Sequence, residues 1–73
     1  MVNEELIIST INKERMLELF IKHRLPISQA LAYHLICELE MRPCDAARLV
    51  GVSQVAITDA RAKALKKMKY VTN

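Results

Sequence analysis

The sequence predicts an all-α fold, a small four-helix domain, and three observations support this prediction. Apolar residues recur with the period of amphipathic helices rather than alternating as they do in strands. The chain has only one glycine and two prolines, and no glycine-rich or serine-rich run divides it. Its 73 residues, of which 52% are apolar, suffice for one hydrophobic core. A single domain is therefore expected.

Two predicted helices form the first part of this domain. Asn12 can cap a helix over residues 13–24, and Pro26 ends it because proline excludes the preceding residue from helical geometry. The apolar stripe that we expect to face the core consists of Met16, Leu17, Phe20, Ile21 and Leu25. A second helix is predicted over residues 29–42. Its inward-facing residues are expected to be Leu31, Leu35, Ile36 and Leu39, with Glu38 and Glu40 in water.

Two further helices are predicted on either side of Gly51. Pro43 suits the first turn of a helix over residues 43–50, and Gly51 can take the left-handed conformation that ends it. Ser53 can cap the next helix, predicted over residues 54–69. The residues expected at the contact between these helices are Ala46, Ala47, Val50, Val52, Ile57, Ala60, Ala64 and Leu65. The pattern predicts a helix-turn-helix, with an ordinary helical hairpin as the alternative.

Residues 1–11 are predicted to be an N-terminal arm, with residues 12–73 forming the helical domain. The arm combines acidic residues with Leu6, Ile7, Ile8 and Ile11. Its β-branched isoleucines disfavour a short helix, so an extended arm or a frayed turn is expected. The large aliphatic side chains either close over the domain's own core or dock on another protein.

The charge of the chain is distributed unevenly. The formal net charge of +3 is made of −2 on residues 1–41 and +5 on residues 42–73. The candidate nucleic-acid-binding residues are Arg61, Lys63, Lys66, Lys67 and Lys69. Lysines hold phosphates without selecting a sequence, so weak, non-specific nucleic-acid binding is expected. The alternative is a solvated surface whose lysines complement the dipole at the helix C-terminus.

A resemblance to a known family rests on the region around Gly51. The pattern Gly-Val-Ser-x-x-x-Ile at residues 51–57, followed by the run at residues 62–69, resembles the DNA-binding end of region four of bacterial sigma factors. Leu25-Pro26 and residues 32–40 are similar to the supporting helix of that region. The resemblance covers about residues 25–70. It implies two kinds of contact, with a promoter element and with the flap of the RNA polymerase β subunit.

The chain departs from this family at the start of the second helix of the motif. Sigma factors carry charged side chains there, mostly arginine, which read the promoter element. This chain has Gln54, Val55, Ala56 and Thr58, followed by Asp59. Arginine donates two hydrogen bonds to guanine, whereas valine or alanine can only contact a thymine methyl group. We therefore expect weakened base reading and retained docking on polymerase.

In length and overall character the chain is also similar to small phage regulators that bind bacterial RNA polymerase. This similarity implies inhibition of initiation by interference with sigma engagement, antitermination, and a location in the bacterial host cytoplasm. The candidate polymerase-binding residues are Leu6, Ile7, Ile8, Ile11, Gln54, Val55, Thr58 and Ala62, and the candidate subunits are β, through its flap, and β′. The alternative is a sequence-specific repressor or activator that binds an operator as a dimer. A plain scaffold module is the third hypothesis.

Several classes of function are not expected. No catalytic assembly or phosphate-binding loop is evident, so we predict neither an enzyme nor a cofactor. No apolar run is long enough to span a membrane. Cys37 and Cys44 are expected to be reduced, buried thiols, and a zinc site made of them with His23 and His34 is a weaker alternative. The chain is expected to be a monomer and to bind no metal.

Overall fold

The computed structural model describes the backbone of residues 4–71 and the side chains of residues 5–69. Within this range the protein is all-helical, as predicted, and has five α-helices. They are α1 (Glu4–Thr10), α2 (Lys13–Lys22), α3 (Ile27–Tyr33), α4 (Pro43–Val50) and α5 (Gln54–Val71), and one π-helical turn (His34–Glu38) continues α3. No helix among the described residues is long and apolar enough to cross a membrane.

Glu4–Thr10 form a helix, so the prediction of an extended arm or frayed turn is wrong for this part of the N-terminal segment, while residues 1–3 lie outside the described residues. The hydroxyl groups of Ser9 and Thr10 both donate to the carbonyl oxygen of Leu6, at 3.1 and 2.7 Å, which satisfies an acceptor near the helix end. Ile7 is buried, and Ile11 packs against the core. Burial of these two side chains outweighs the weak helix propensity of isoleucine, because tertiary packing supplies most of the stability of a short helix.

Helix α2 begins as predicted but buries a different face. The side chain of Asn12 accepts a hydrogen bond from the Arg15 backbone N–H at 3.1 Å, which confirms the cap. The predicted core stripe is wrong for Leu17, Phe20 and Ile21. Their side chains are exposed by 58, 55 and 64%, respectively. Leu25 is fully buried, as predicted, and so is Leu19, which was not predicted to face the core. The buried face of α2 is therefore centred on Leu19, where α3 and α5 pack.

Helix α3 starts and ends earlier than predicted. It begins at Ile27, and its π-helical continuation ends at Glu38. The chain then reverses through Glu40, which is in the left-handed region at φ 58°, and the Met41 N–H donates to the Leu35 carbonyl at 2.9 Å. Arg42 is extended, as the residue before a proline should be. The helix could not reach residue 42 for this reason.

Burial on this segment follows the prediction only in part. Leu35 is fully buried and Leu31 and Ile36 are partly buried, whereas Leu39 is exposed. Glu38, expected in water, is partly buried. Ala30 and Ala32 are fully buried, which the apolar pattern did not predict. These alanines let other helices approach α3 closely.

The predicted pair of helices around Gly51 is confirmed. Helix α4 spans Pro43–Val50, and Gly51 has the left-handed φ of 85°. The N–H groups of Gly51 and Val52 both donate to the Ala47 carbonyl, at 2.8 and 3.0 Å, so the turn is closed on the end of α4. Val52 and Leu65, expected at the helix contact, are exposed by 43 and 42% and do not belong to it.

Two clusters of buried residues form the core. One joins α3, α4 and α5 and consists of Ala32, Leu35, Ala46, Ala47 and Ile57. The other joins α2, α3 and α5 and consists of Leu19, Leu25, Ala30 and Ala64. Helices α3 and α5 contribute to both clusters. They are therefore the axis on which α2 and α4 are placed.

Replacing Ala47 with leucine should destabilise the fold. Ala47 is buried where α4 meets α3 and α5, so added methylenes overpack the contact and cost about 1–3 kcal/mol of unfolding free energy. Urea denaturation measures this loss. Ala62→Leu, on the exposed face of α5, is the matched control and should change stability by less than about 0.5 kcal/mol. Equal midpoints for both variants would contradict the proposed packing.

Candidate interface on helix α5

The outer face of α5 is fixed by the way the helix starts and by what it buries. The Ser53 hydroxyl oxygen accepts the Ala56 N–H at 3.1 Å, which confirms the predicted cap. Ile57 and Ala64, seven residues apart, are buried. At helical spacing, residues 55, 59, 62, 66 and 69 then lie on the side away from the core. The candidate residues on α5 can be judged against this face.

Most side chains in the first half of the outer face are either apolar or bonded to other groups of the same helix. Val55 is 80% exposed, and Gln54 and Ala62 are also exposed. Thr58 is partly buried, and its hydroxyl donates to the Gln54 carbonyl at 2.7 Å. Asp59 and Lys63 form an ion pair at 3.1 Å. The Gln54 amide is thus the one side-chain hydrogen-bonding group of this stretch that has no partner within the described residues.

The second half of the outer face is basic. Lys66, Lys67 and Lys69 are exposed, and within the described residues they form no ion pair. Arg61 is different from the other predicted nucleic-acid-binding residues, because it is partly buried and its Nε is enclosed without a hydrogen-bond acceptor. The surface that can meet a phosphate therefore consists of lysines, with Lys63 shared with Asp59.

The predicted polymerase-binding residues of the N-terminal segment are divided by α1. Ile7 is buried and Ile11 is partly buried, so their side chains serve the core of this protein. Leu6 and Ile8 are about half exposed. The structure therefore does not bring the eight candidate residues into one patch of exposed side chains.

A second exposed surface lies on α2 and was missed from the sequence. Leu17, Phe20 and Ile21 are joined by Ile27 at the start of α3, which is 70% exposed. Beside them an open, mostly apolar groove of about 390 Å³ runs between α1, α2 and α3. The signal for this surface was the surplus of apolar residues on α2. A helix with apolar side chains on both sides cannot bury them all in so small a domain.

One polar cluster extends from a buried histidine to the surface of α2. His34 is 2% exposed, and its Nε2 accepts the Asn12 backbone N–H at 3.0 Å while its Nδ1 lies 2.6 Å from Glu38 Oε1. A carboxylate can only accept, so Nδ1 donates, and the neutral imidazole satisfies both partners. Arg15 binds the other oxygen of Glu38, from Nε at 2.6 Å and from Nη2 at 2.5 Å, and also binds Glu18 at 2.6 Å.

The charges of this cluster shift two pKa values. Burial acts to raise the pKa of the Glu38 carboxyl, but the hydrogen bonds donated by Arg15 and His34, together with the positive charge of Arg15, outweigh it, so this pKa is lowered. The hydrogen bonds that Arg15 donates to Glu38 and Glu18 raise the pKa of Arg15. Both groups stay charged near neutral pH. The cluster ties α2 to the π-helical turn, and because its members satisfy one another we interpret it as structural rather than as a site for a ligand.

The hypothetical zinc ligands are not arranged as a metal site. Both ring nitrogens of His34 are already hydrogen-bonded, as above. Cys37 and Cys44 are free thiols, as expected, but both are exposed, so the prediction that they are buried is wrong. Across the described part of the chain no three His, Cys, Asp or Glu side chains are grouped so that they could hold a metal ion.

Comparison of the chain with protein-family models, with curated proteins and with solved structures gives no match.

Stability should depend on the ionisation of Glu38. Its folded-state pKa is below the unfolded value, so its stabilisation is present above about pH 4.5 and is lost as the pH falls through the folded value. Glu38→Gln should therefore cost about 1–3 kcal/mol near pH 7, and this difference should shrink near pH 3. Chemical denaturation at both pH values measures it.

Glu14→Gln is the matched control for this experiment. Glu14 is on the same helix as Arg15, is exposed, and has no partner within the described residues. Its substitution should change stability by less than about 0.5 kcal/mol at either pH. A cost of Glu38→Gln that does not vary with pH would contradict the charge-based account and would indicate lost packing.

Proposed function

We propose that the chain is a transcription regulator that binds bacterial RNA polymerase through the start of α5 and hinders the engagement of sigma. The observation that carries this proposal is Val55, an aliphatic side chain 80% exposed at the position where a sigma-like helix would present cations. An aliphatic side chain of this kind is not stabilised by contact with water or with phosphate. Covering it with another protein is favourable, because its apolar surface is then removed from water.

The neighbours of Val55 keep the desolvation cost low when a partner covers this stretch of α5. The Thr58 hydroxyl is already bonded to the backbone, and the charges of Asp59 and Lys63 are paired. Interface cores are depleted in charged residues because unpaired charges are costly to desolvate. Reading bases would instead need free donors such as arginine, and Gln54 is the one candidate here. These features favour a protein partner over a defined DNA sequence.

The resemblance to sigma region four supplies the identity of the partner. The resembling residues include Gly51 and Ser53, whose conformation and cap the structure bears out locally. A chain with a sigma-like motif can compete for the docking surface of sigma, with the β flap and β′ as candidate contacts. Inhibition of initiation then follows from shared occupancy, and no catalysis is required. Antitermination and a location in the bacterial cytoplasm belong to the same proposal.

Helix α1 can add a smaller contact. Leu6 and Ile8 are about half exposed, whereas Ile7 and Ile11 are used by the core. Two contacts on one rigid domain raise the effective concentration of each for its site. Deleting residues 1–11 would expose the core, so this contact is better tested by substitution at Ile8.

A second, weaker function is favoured by the lysines of α5. Lys66, Lys67 and Lys69 are exposed at the end of the helix and form no ion pair within the described residues. Each can neutralise a phosphate without selecting a base. This activity suits a regulator that lies near template or transcript. A dimeric, operator-specific regulator would be the alternative.

Val55→Glu should weaken binding to bacterial RNA polymerase and relieve inhibition at least about tenfold, since it places a charge in the covered face. Glutamate is tolerated near a helix N-terminus, so the fold should persist. Competition between sigma and this protein for purified polymerase measures the effect. Ile27→Glu is the matched control, because Ile27 is also β-branched, exposed and at the start of a helix.

The outcomes of this assay separate the hypotheses. The proposal is supported if Val55→Glu loses polymerase binding and Ile27→Glu retains it. The reverse pattern would move the polymerase contact to the groove beside α2. No co-migration of the unaltered protein with polymerase would refute polymerase binding altogether.

Nucleic-acid binding should be weak and independent of sequence, with a dissociation constant of roughly 10⁻⁴ to 10⁻⁶ M at physiological salt. Lys66→Gln and Lys69→Gln should each lower the salt dependence of binding by about one counterion. Lys13→Gln, on α2, serves as the control. Anisotropy titrations of a defined and a scrambled duplex measure this. A thousandfold preference for the defined duplex would favour the operator-binding alternative.

A further inference from the structure

We propose that the exposed apolar face of α2 is a self-association surface, on which a second copy of the chain packs its own α2 in the antiparallel direction. The α2 face is defined here as Leu17, Phe20 and Ile21, together with Ile27 beside them. All four side chains are more than half exposed. This inference does not depend on polymerase binding.

The α2 face is not needed by the fold of the single chain. Helix α2 is anchored by Leu19 on its opposite side, in one cluster with Ala64 of α5. Leu17 and Ile21 are four residues apart and form a stripe along the outer side. The apolar groove of about 390 Å³ adjoins this stripe through Leu17 and Phe20. Contiguous apolar patches of this kind usually mark an interaction site.

The charges beside the stripe indicate which partner fits. Glu14, Arg15, Leu17, Glu18, Ile21 and Lys22 border the same shallow depression along α2. Arg15 and Glu18 form an ion pair with each other, so Glu14 and Lys22 are the charges of this depression that are left for a partner. Glu14 is in the first turn, Lys22 is in the last, and neither has an ion-pair partner within the described residues. In an antiparallel pair of identical helices, Glu14 of each copy lies toward Lys22 of the other. A parallel pair would bring like charges together.

This arrangement is self-complementary, as a twofold-symmetric interface must be. It forms two acid–base contacts at the ends and one apolar contact in the middle from a single surface. The outer face of α5 remains free, because the core cluster that holds Leu19 and Ala64 lies between α2 and α5. A monomer was expected because the sequence shows no obvious dimerisation helix, whereas the exposure of Leu17, Phe20 and Ile21 gives α2 an apolar outer face.

Sedimentation equilibrium of the full chain over about 1 µM to 1 mM tests the proposal, since an interface built on one helix pair is small and should associate weakly. The average mass should rise toward that of a dimer. Ile21→Lys should weaken association at least about tenfold, because it buries a charge opposite its own copy. Lysine is a better helix former than isoleucine, so α2 should be retained.

Val55→Lys is the matched control for Ile21→Lys. It makes an equivalent change at an exposed aliphatic residue on α5, and it should leave self-association unchanged. Circular dichroism and thermal unfolding of both variants show whether the fold is kept. Because Val55 carries the proposed polymerase contact, the two variants also separate the failure of one proposal from the failure of the other.

Charge reversal tests the direction of pairing independently of the apolar stripe. Lys22→Glu and Glu14→Lys should each weaken self-association, since each variant places like charges opposite one another. An equimolar mixture of the two variants should associate more tightly than either alone. Arg48→Glu, an exposed charge reversal on α4, is the control and should have no effect.

Three results would overturn the proposal. The first is a monomeric mass for the unaltered chain at about 1 mM. The second is association that Ile21→Lys leaves unchanged. The third is a monomer whose polymerase binding is lost with Ile21→Lys, which would assign the α2 face to polymerase. Association that weakens with Ile21→Lys but not with Val55→Lys, and that recovers when the charge variants are mixed, supports it.

Discussion

The close contact of α5 with α3 and α4, made by small side chains, is the constraint on which the rest of the structure depends. Ala32, Ala46 and Ala47 meet Ile57 where α4 turns into α5, and Ala30 meets Ala64 further along the helix pair. Alanine at these positions removes the bulk that would hold the helices apart, and the packing density of an interior leaves no room for more. Everything presented outward by α5 is therefore set by what this contact holds inward.

Single residues in the sequence predicted the start and end of α4 and the start of α5. Pro43, Gly51 and Ser53 each act within one turn of the chain, through a missing donor, a permitted left-handed conformation and a side-chain acceptor. The ends of α2 and α3 could not be predicted in this way, because the left-handed residues there are Arg24 and Glu40, which are not typical of that conformation. Leu25, which follows Arg24, is fully buried, and Met41, which follows Glu40, is partly buried against the core, so packing of these residues holds both turns in place.

The choice of buried face on α2 was predicted wrongly for a physical reason. The helix has apolar residues on both sides, so its period indicates a helix but does not say which side is core. Leu19 fits between α3 and α5, and once it is there Leu17 and Ile21 must face outward. The short α1 was missed likewise, since Ile7 and Ile11 obtain their stability from tertiary contacts rather than from helix propensity. Most candidate residues on α5 are exposed, whereas Thr58 and Arg61 are partly buried.

The polar cluster around His34 helps to hold α2 against the π-helical turn without a larger core. The imidazole accepts from the backbone of Asn12, the residue that also caps α2, while Glu38 accepts from the imidazole and from Arg15. Each group satisfies another, so the cluster does not leave a buried charge without a partner. On the inner side of α2, polar contacts therefore stabilise the packing of the helix, as apolar contacts do elsewhere in the domain. Leu17, Phe20 and Ile21 are then available for a partner, which is the unusual feature of this small domain.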